Sequence, residues 1–358
     1  MTDIPTSHSL HTHHARRASH LPIAAGARTI ESMALLAGSG AFVLGGVAAM
    51  IGFRFEPAPI SGPDSIGQFA AIMSAVVALL AFVAGRLVLQ ARGGRSPLHL
   101  LDYLDIAALA IAHAVIALLG WTLLAAILAR SFIGAEAFPL AVIVLAGAVA
   151  AVTAYIVFVS ATHMDLSLLA LVLMVFLVMG LLSAMLSTSD PDWWHDNLSA
   201  LGMTTSASAR AFSITLIVAG FLITTLARYV TRGIPSDYPP GPVRVRVCLI
   251  LVGVFLACVG IFPVDTFWGL HTGTTVGMVI AYGVLVIRLP RWISGIAPAF
   301  LTLGWVFLAA TLVVVVFFLV GYYTLTAVEL VAGILVFTWL VLFIRNLAAL
   351  RQDVTARG

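Results

Sequence analysis

The run Ser167 to Ser187, SLLALVLMVFLVMGLLSAMLS, decides the class of the whole chain. It carries no charge, and its apolar side chains cover every face of a helix with no two-residue alternation. At 1.5 Å per residue such a run reaches about 30 Å, the thickness of a bilayer's hydrocarbon layer. Lipid offers the backbone no hydrogen-bond partner, so a spanning segment is a helix or part of a closed barrel. The missing alternation selects the helix.

Nine further runs of this kind lie around it, at approximately residues 30 to 52, 66 to 86, 105 to 128, 138 to 160, 210 to 230, 247 to 263, 269 to 288, 296 to 319 and 325 to 344. The chain is 61% hydrophobic and 9% charged, whereas soluble domains are about a quarter charged. An all-α, polytopic transmembrane bundle of about ten helices follows. The basic residues are all arginine and are dispersed along the chain, which argues against a nucleic-acid partner. Cys248 and Cys258 stand ten residues apart on one expected helix. That is about 15 Å, too far for a disulfide between them.

Ten crossings place Arg16, Arg17, Arg28, Arg86, Arg92, Arg95, Arg228, Arg232, Arg244, Arg246, Arg288, Arg291, Arg345, Arg351 and Arg357 at one side, and Arg54, Arg130 and Arg210 at the other. Arginine is retained in the cytoplasm, so this split predicts that both termini are cytoplasmic. Residues 1–28 read as a disordered tail rich in arginine and in His8, His11, His13, His14 and His20. The first apolar run begins near Ile30 and is long enough to span by itself, which predicts a membrane helix and no cleavable signal peptide. Residues 29–162 then form a four-helix extension, residues 163–346 a six-helix core with most of the outer-face aromatics, and residues 347–358 a second cytoplasmic tail.

Two polar stretches interrupt the core, and the helix count puts both on the extracytoplasmic side. The first is STSDPDWWHDNLSALGMTTSASA, Ser187 to Ala209; the second is PVDTFWGLHTGTT, Pro263 to Thr275. His271, His195, Asp192, Asp196 and Asp265, with Asp190 beside them, are therefore the candidate site residues. Carboxylates next to imidazoles supply the proton acceptors and anionic ligands that acid-base chemistry or metal binding requires. Their spacing matches no zinc signature, so the metal and any cofactor stay unassigned. Trp193, Trp194 and Trp268 read as interfacial anchors. His271 lies a few residues inside a helix, where an imidazole needs a partner. Gly269, Gly273 and Gly277 recur every four residues on another face of that helix and predict close packing against a neighbour. Glu329, one turn into the last helix, either joins this pocket or reaches out to the interface. Asp165 and His163 read as caps of the fifth helix, and Asp102 and Asp105 as residues near a helix start that reach water.

The motif Asn197-Leu198-Ser199-Ala200-Leu201-Gly202 after a Trp-rich loop, then Gly260-Ile261-Phe262-Pro263 and His271, resembles an uncharacterised family of bacterial membrane proteins, domain of unknown function 998 (DUF998). The resemblance covers roughly residues 166 to 345 and implies a six-helix fold with an outer-face histidine. In that family an acidic residue often stands between the Ser and the Leu-Gly; here the position is Ala200. It implies no reaction, and points to a multi-pass protein of a bacterial plasma membrane.

Three function classes fit these features. One is a membrane-embedded enzyme acting on a lipid or envelope intermediate, with His271 and one of Asp196, Asp192 or Asp265 as acid, base or ligand. Another is an accessory or assembly subunit without chemistry, bound to a membrane-protein partner. The third is a transporter or flippase, which the low polarity of the helix centres disfavours. All three have the lipid bilayer as a partner.

Overall fold

The computed structural model describes residues 21–92, 100–203, 206–231, 234 and 236–357. The histidine-rich tract His8 to His20 lies outside the described residues. Among the described residues ten helices follow in order: α1 (Leu21–Phe53), α2 (Ile66–Arg92), α3 (Leu100–Ser131), α4 (Pro139–Thr162), α5 (Leu166–Ser187), α6 (Ala207–Val230), α7 (Gly241–Ile261), α8 (Trp268–Trp292), α9 (Pro298–Leu319) and α10 (Leu325–Arg357). Each contains a stretch long and apolar enough to cross a membrane. α1 begins several residues before its apolar run, and α10 continues past its own. A two-residue strand β1 (Ala58–Pro59) pairs antiparallel with β2 (Glu136–Ala137), which ties the α1–α2 connection to the α3–α4 connection at one end of the bundle.

Local chemistry sets the helix starts. Proline stands in the first turn of α4, α7 and α9, where its missing N–H would have no partner in any case. Asp165 caps α5 by accepting from the Leu168 N–H at 2.7 Å, as its position predicts. His163 instead closes α4, with its backbone N–H and its Nδ1 both on the Val159 carbonyl.

α1 packs on α4, α2 on α3 and α4, and α3 on α5 and α6. From α5 onward each helix packs on the next, and α10 returns to α5, so the last six helices close into a ring. One apolar core runs through both halves, from Phe82 and Ala112 by way of Phe176 and Leu222 to Trp339 and Phe343. Lipid tails are as apolar as leucine, so helix association here rests on close fit and polar ties more than on exclusion of water.

The closest fit is between α6 and α7. A Cβ on Gly220 or on Gly253 would collide with the other's carbonyl oxygen, and one on Gly260 would come within 2.8 Å of the Ser213 carbonyl. Of the three glycines expected to pack closely on α8, only Gly277 does so. A Cβ on Gly269 or on Gly273 would meet nothing within 4 Å, and Gly277 faces the Phe255 ring. A four-residue period marks a small face, but the facing helix decides whether it is used, and α7 offers Phe255 there. Asp105 also departs from expectation: it is 5% exposed, pairs with Arg228 of α6, and accepts from the Tyr229 hydroxyl at 2.7 Å.

Candidate functional site

Between α5 and α6 the chain makes two 3-10 turns, Trp193–His195 and Leu198–Gly202. Leu201 fixes the second turn, 1% exposed and packed with Ala184 and Phe212. Gly202 lets it approach, since a Cβ there would strike the Phe212 ring at 2.7 Å. The Ser208 hydroxyl lies 2.9 Å from the Ala184 carbonyl and 3.1 Å from that of Leu201, tying the connection to the end of α5. The motif Leu198-Ser199-Ala200-Leu201-Gly202 is thus held against the helix ends by its apolar and small members.

The first amides of any helical turn have no partner inside it. Here Glu329 of α10 supplies one. Its Oε2 accepts from the Leu198 N–H at 2.5 Å, and its carboxylate also accepts from the Ser199 N–H. The last carbonyls of a helix are equally unpaired, and that of Phe262, which closes α7, accepts from His271 Nδ1 at 2.7 Å. His271 Nε2 lies 3.0 Å from Ser199 Oγ. His271 is 5% exposed and Ser199 7% exposed.

These contacts fix the proton. A carbonyl only accepts, so Nδ1 carries the hydrogen; the neutral ring then presents a lone pair at Nε2, to which the Ser199 hydroxyl donates. A serine hydroxyl on the Nε2 of an imidazole oriented from behind is the arrangement of a nucleophile and its general base. A backbone carbonyl does the orienting here.

Two buried polar atoms beside this constellation have no hydrogen-bond partner: Asn197 Oδ1, one residue before the Leu198 amide, and Thr326 Oγ1, one helical turn before Glu329 on α10. Thr326 is 7% exposed.

The other expected site residues lie elsewhere. Asp190, Asp192, Asp196, His195 and Asp265 are all exposed. Asp190 accepts from the Asp192 N–H at 2.9 Å, and the His195 ring lies on that of Trp194 with centroids 3.7 Å apart. Among the described residues no hydrogen bond or ion pair joins any of them to His271, and no three His, Cys, Asp or Glu side chains gather as a metal set. Trp268 is exposed at the start of α8, and Trp193 packs partly into the loop's apolar cluster. Ser199 is the site residue least visible in the sequence; its one signal is its place in the Asn197 to Gly202 motif.

The family model described as "Protein of unknown function (DUF998)" matches residues 170–346. Over this segment, just under half of its length, the chain is similar to DUF998. The DUF998 segment begins within α5 and ends within α10, so it contains Ser199, His271 and Glu329 and spans the six-helix ring. α1 to α4 lie outside it. No curated protein and no solved structure matches the chain.

Proposed function

We propose that this chain is a membrane-embedded acyl-transfer enzyme, hydrolase or transferase, acting on a lipid ester at the extracytoplasmic leaflet of a bacterial plasma membrane. The observation that carries the reading is the 3.0 Å contact between Ser199 Oγ and His271 Nε2, with Nδ1 committed to the Phe262 carbonyl. In the reaction, Ser199 Oγ attacks the ester carbonyl and its proton passes to Nε2. The imidazolium then gives that proton to the leaving alcohol oxygen as the C–O bond breaks, leaving an acyl-serine. Water or a second alcohol resolves it by the same exchange.

The leaflet follows from the arginine distribution, which assigns the α5–α6 and α7–α8 connections to the outer side. The lipid substrate follows from location: the dyad sits where apolar helices end and Trp194, Phe267, Trp268, Tyr322 and Tyr323 stand exposed. His271 holds the catalytic role, while Asp192, Asp196, Asp265 and His195 form an exposed rim.

A fluorophosphonate probe, which esterifies nucleophilic serines, tests this in isolated membranes. Wild type should label, and Ser199→Ala should not label while its protein level is unchanged. Equal labelling of Ser199→Ala, or none of wild type, overturns the reading. One observation favours an assembly subunit instead: His271, Ser199 and Glu329 all spend their hydrogen bonds on holding the loop. On that reading the protein purifies in mild detergent with a stoichiometric partner, and Ser199→Ala reacts no differently from wild type.

A further inference from the structure

A cavity of about 390 Å³ lies between the start of α9 and the later part of α10. The length of α8 separates it from the dyad, because His271 stands in the first turn of that helix and α9 follows its last. On α10 the lining residues Leu342, Arg345, Asn346 and Ala349 fall at i, i+3, i+4 and i+7, a single stripe about 10 Å long. α9 runs the opposite way, so Leu303 lies deep beside Leu342, and Ala299 stands at the mouth with Ala349. The deep end is apolar, the mouth is kept open by two methyl groups, and a guanidinium and an amide stand between. No carboxylate lines the cavity.

Arg345 is exposed and, among the described residues, forms no hydrogen bond or ion pair. Other arginines at this end of the bundle are engaged: Arg228 pairs with Asp105, Arg246 donates to Thr231 Oγ1 at 2.8 Å, and Arg244 lies over the Tyr238 ring. Arg288 and Arg291 are exposed like Arg345, but neither lines this cavity. A guanidinium presents a planar fork of N–H donors that fits two oxygens of a phosphate, and the Asn346 amide adds further donors beside it. A molecule that carries a phosphate at one end and hydrocarbon at the other matches both parts of the cavity.

We infer that the α9–α10 cavity binds an anionic phospholipid, with its phosphate on Arg345 and Asn346 and an acyl chain along Leu303 and Leu342. Charge complementarity selects this occupant. A headgroup with net negative charge meets an uncompensated guanidinium, whereas the ammonium of a zwitterionic headgroup finds no carboxylate in the lining. The site draws on no residue of the dyad, so it stands whether or not Ser199 is a nucleophile.

The test is native mass spectrometry of the full chain released from detergent micelles, with phosphatidylglycerol and phosphatidylcholine of identical acyl chains at equal concentration. Phosphatidylglycerol should be retained about tenfold over phosphatidylcholine, as expected for a charge-assisted, two-oxygen contact. Arg345→Gln should bring the two lipids to equal retention; the side chain is exposed, so its replacement leaves the fold intact. Arg291→Gln, which removes an exposed charge at the same end of the bundle but outside the cavity, should leave the preference unchanged. Equal retention of the two lipids by wild type overturns the inference. So does an equal loss of preference in both variants, which marks attraction to the charged surface as a whole. Glycerol 3-phosphate at the same concentration has the phosphate without the tail and should not be retained; its retention assigns the cavity to a soluble phosphate ester instead. A second copy of the chain, or another protein, that wild type holds and Arg345→Gln releases assigns it to a protein partner and equally overturns the lipid.

Discussion

At His271 the Phe262 carbonyl decides which nitrogen carries the proton, so the other presents one lone pair, to which the Ser199 hydroxyl donates. A glutamine there keeps a donor and an acceptor but provides no general base. His271→Gln should therefore slow fluorophosphonate labelling of Ser199 by about 10²-fold or more, measured as a labelling rate in membranes. The single changes Asp192→Asn, Asp196→Asn and Asp265→Asn should leave both that rate and the melting midpoint near wild type, because each side chain is exposed and touches neither Ser199 nor His271. His271 is legible in the sequence because an imidazole inside an apolar run needs a partner. Its partner is not, since a serine in a polar loop looks like any other, and neighbouring carboxylates draw the chemical pairing to themselves. Glu329 is legible as a charge near a helix end, yet only folding brings it to two amides more than a hundred residues earlier in the chain.

Among elements, the glycines divide into two kinds. Gly220 and Gly253 let α6 and α7 approach to backbone contact, so Gly253→Val should drive the pair apart and destabilise the protein by about 2 kcal/mol or more. Gly269 and Gly273 meet nothing, so alanine at either should leave stability unchanged or raise it by roughly 0.5–1 kcal/mol through helix propensity. Reversible unfolding in mixed micelles distinguishes the two. The spans themselves are readable to within a few residues, because length and hydropathy are properties of one segment. Which helix meets which is a property of two, and a small-residue period on α8 cannot reveal that α7 turns a phenylalanine toward it.

For the molecule as a whole, the buried pair of Asp105 and Arg228 joins α3, outside the DUF998 segment, to α6 within it. Asp105→Leu alone leaves the guanidinium, only 24% exposed, without its counter-charge and should destabilise by about 3 kcal/mol. Adding Arg228→Leu should recover most of that loss, and the double-mutant cycle measures the coupling. Sidedness has its own test: a cysteine placed at Asp192 in a background lacking Cys248 and Cys258 should react with an impermeant maleimide on intact cells, while one placed at Asp237 should react only after the membrane is opened. The α9 helix adds a further consequence. Its buried residues are Phe300, Gly304 and Thr311, and Phe300 rests against Trp339 and Phe343, whereas Leu312 to Leu319 are largely bare. Meanwhile Ser199 and Leu198 join α8 to α10 directly, bypassing α9. Among the described residues the side-chain hydrogen bonds of α9 stay inside the helix, at Thr302 and Thr311, so this edge of the ring is fastened to α8 and α10 by van der Waals fit alone.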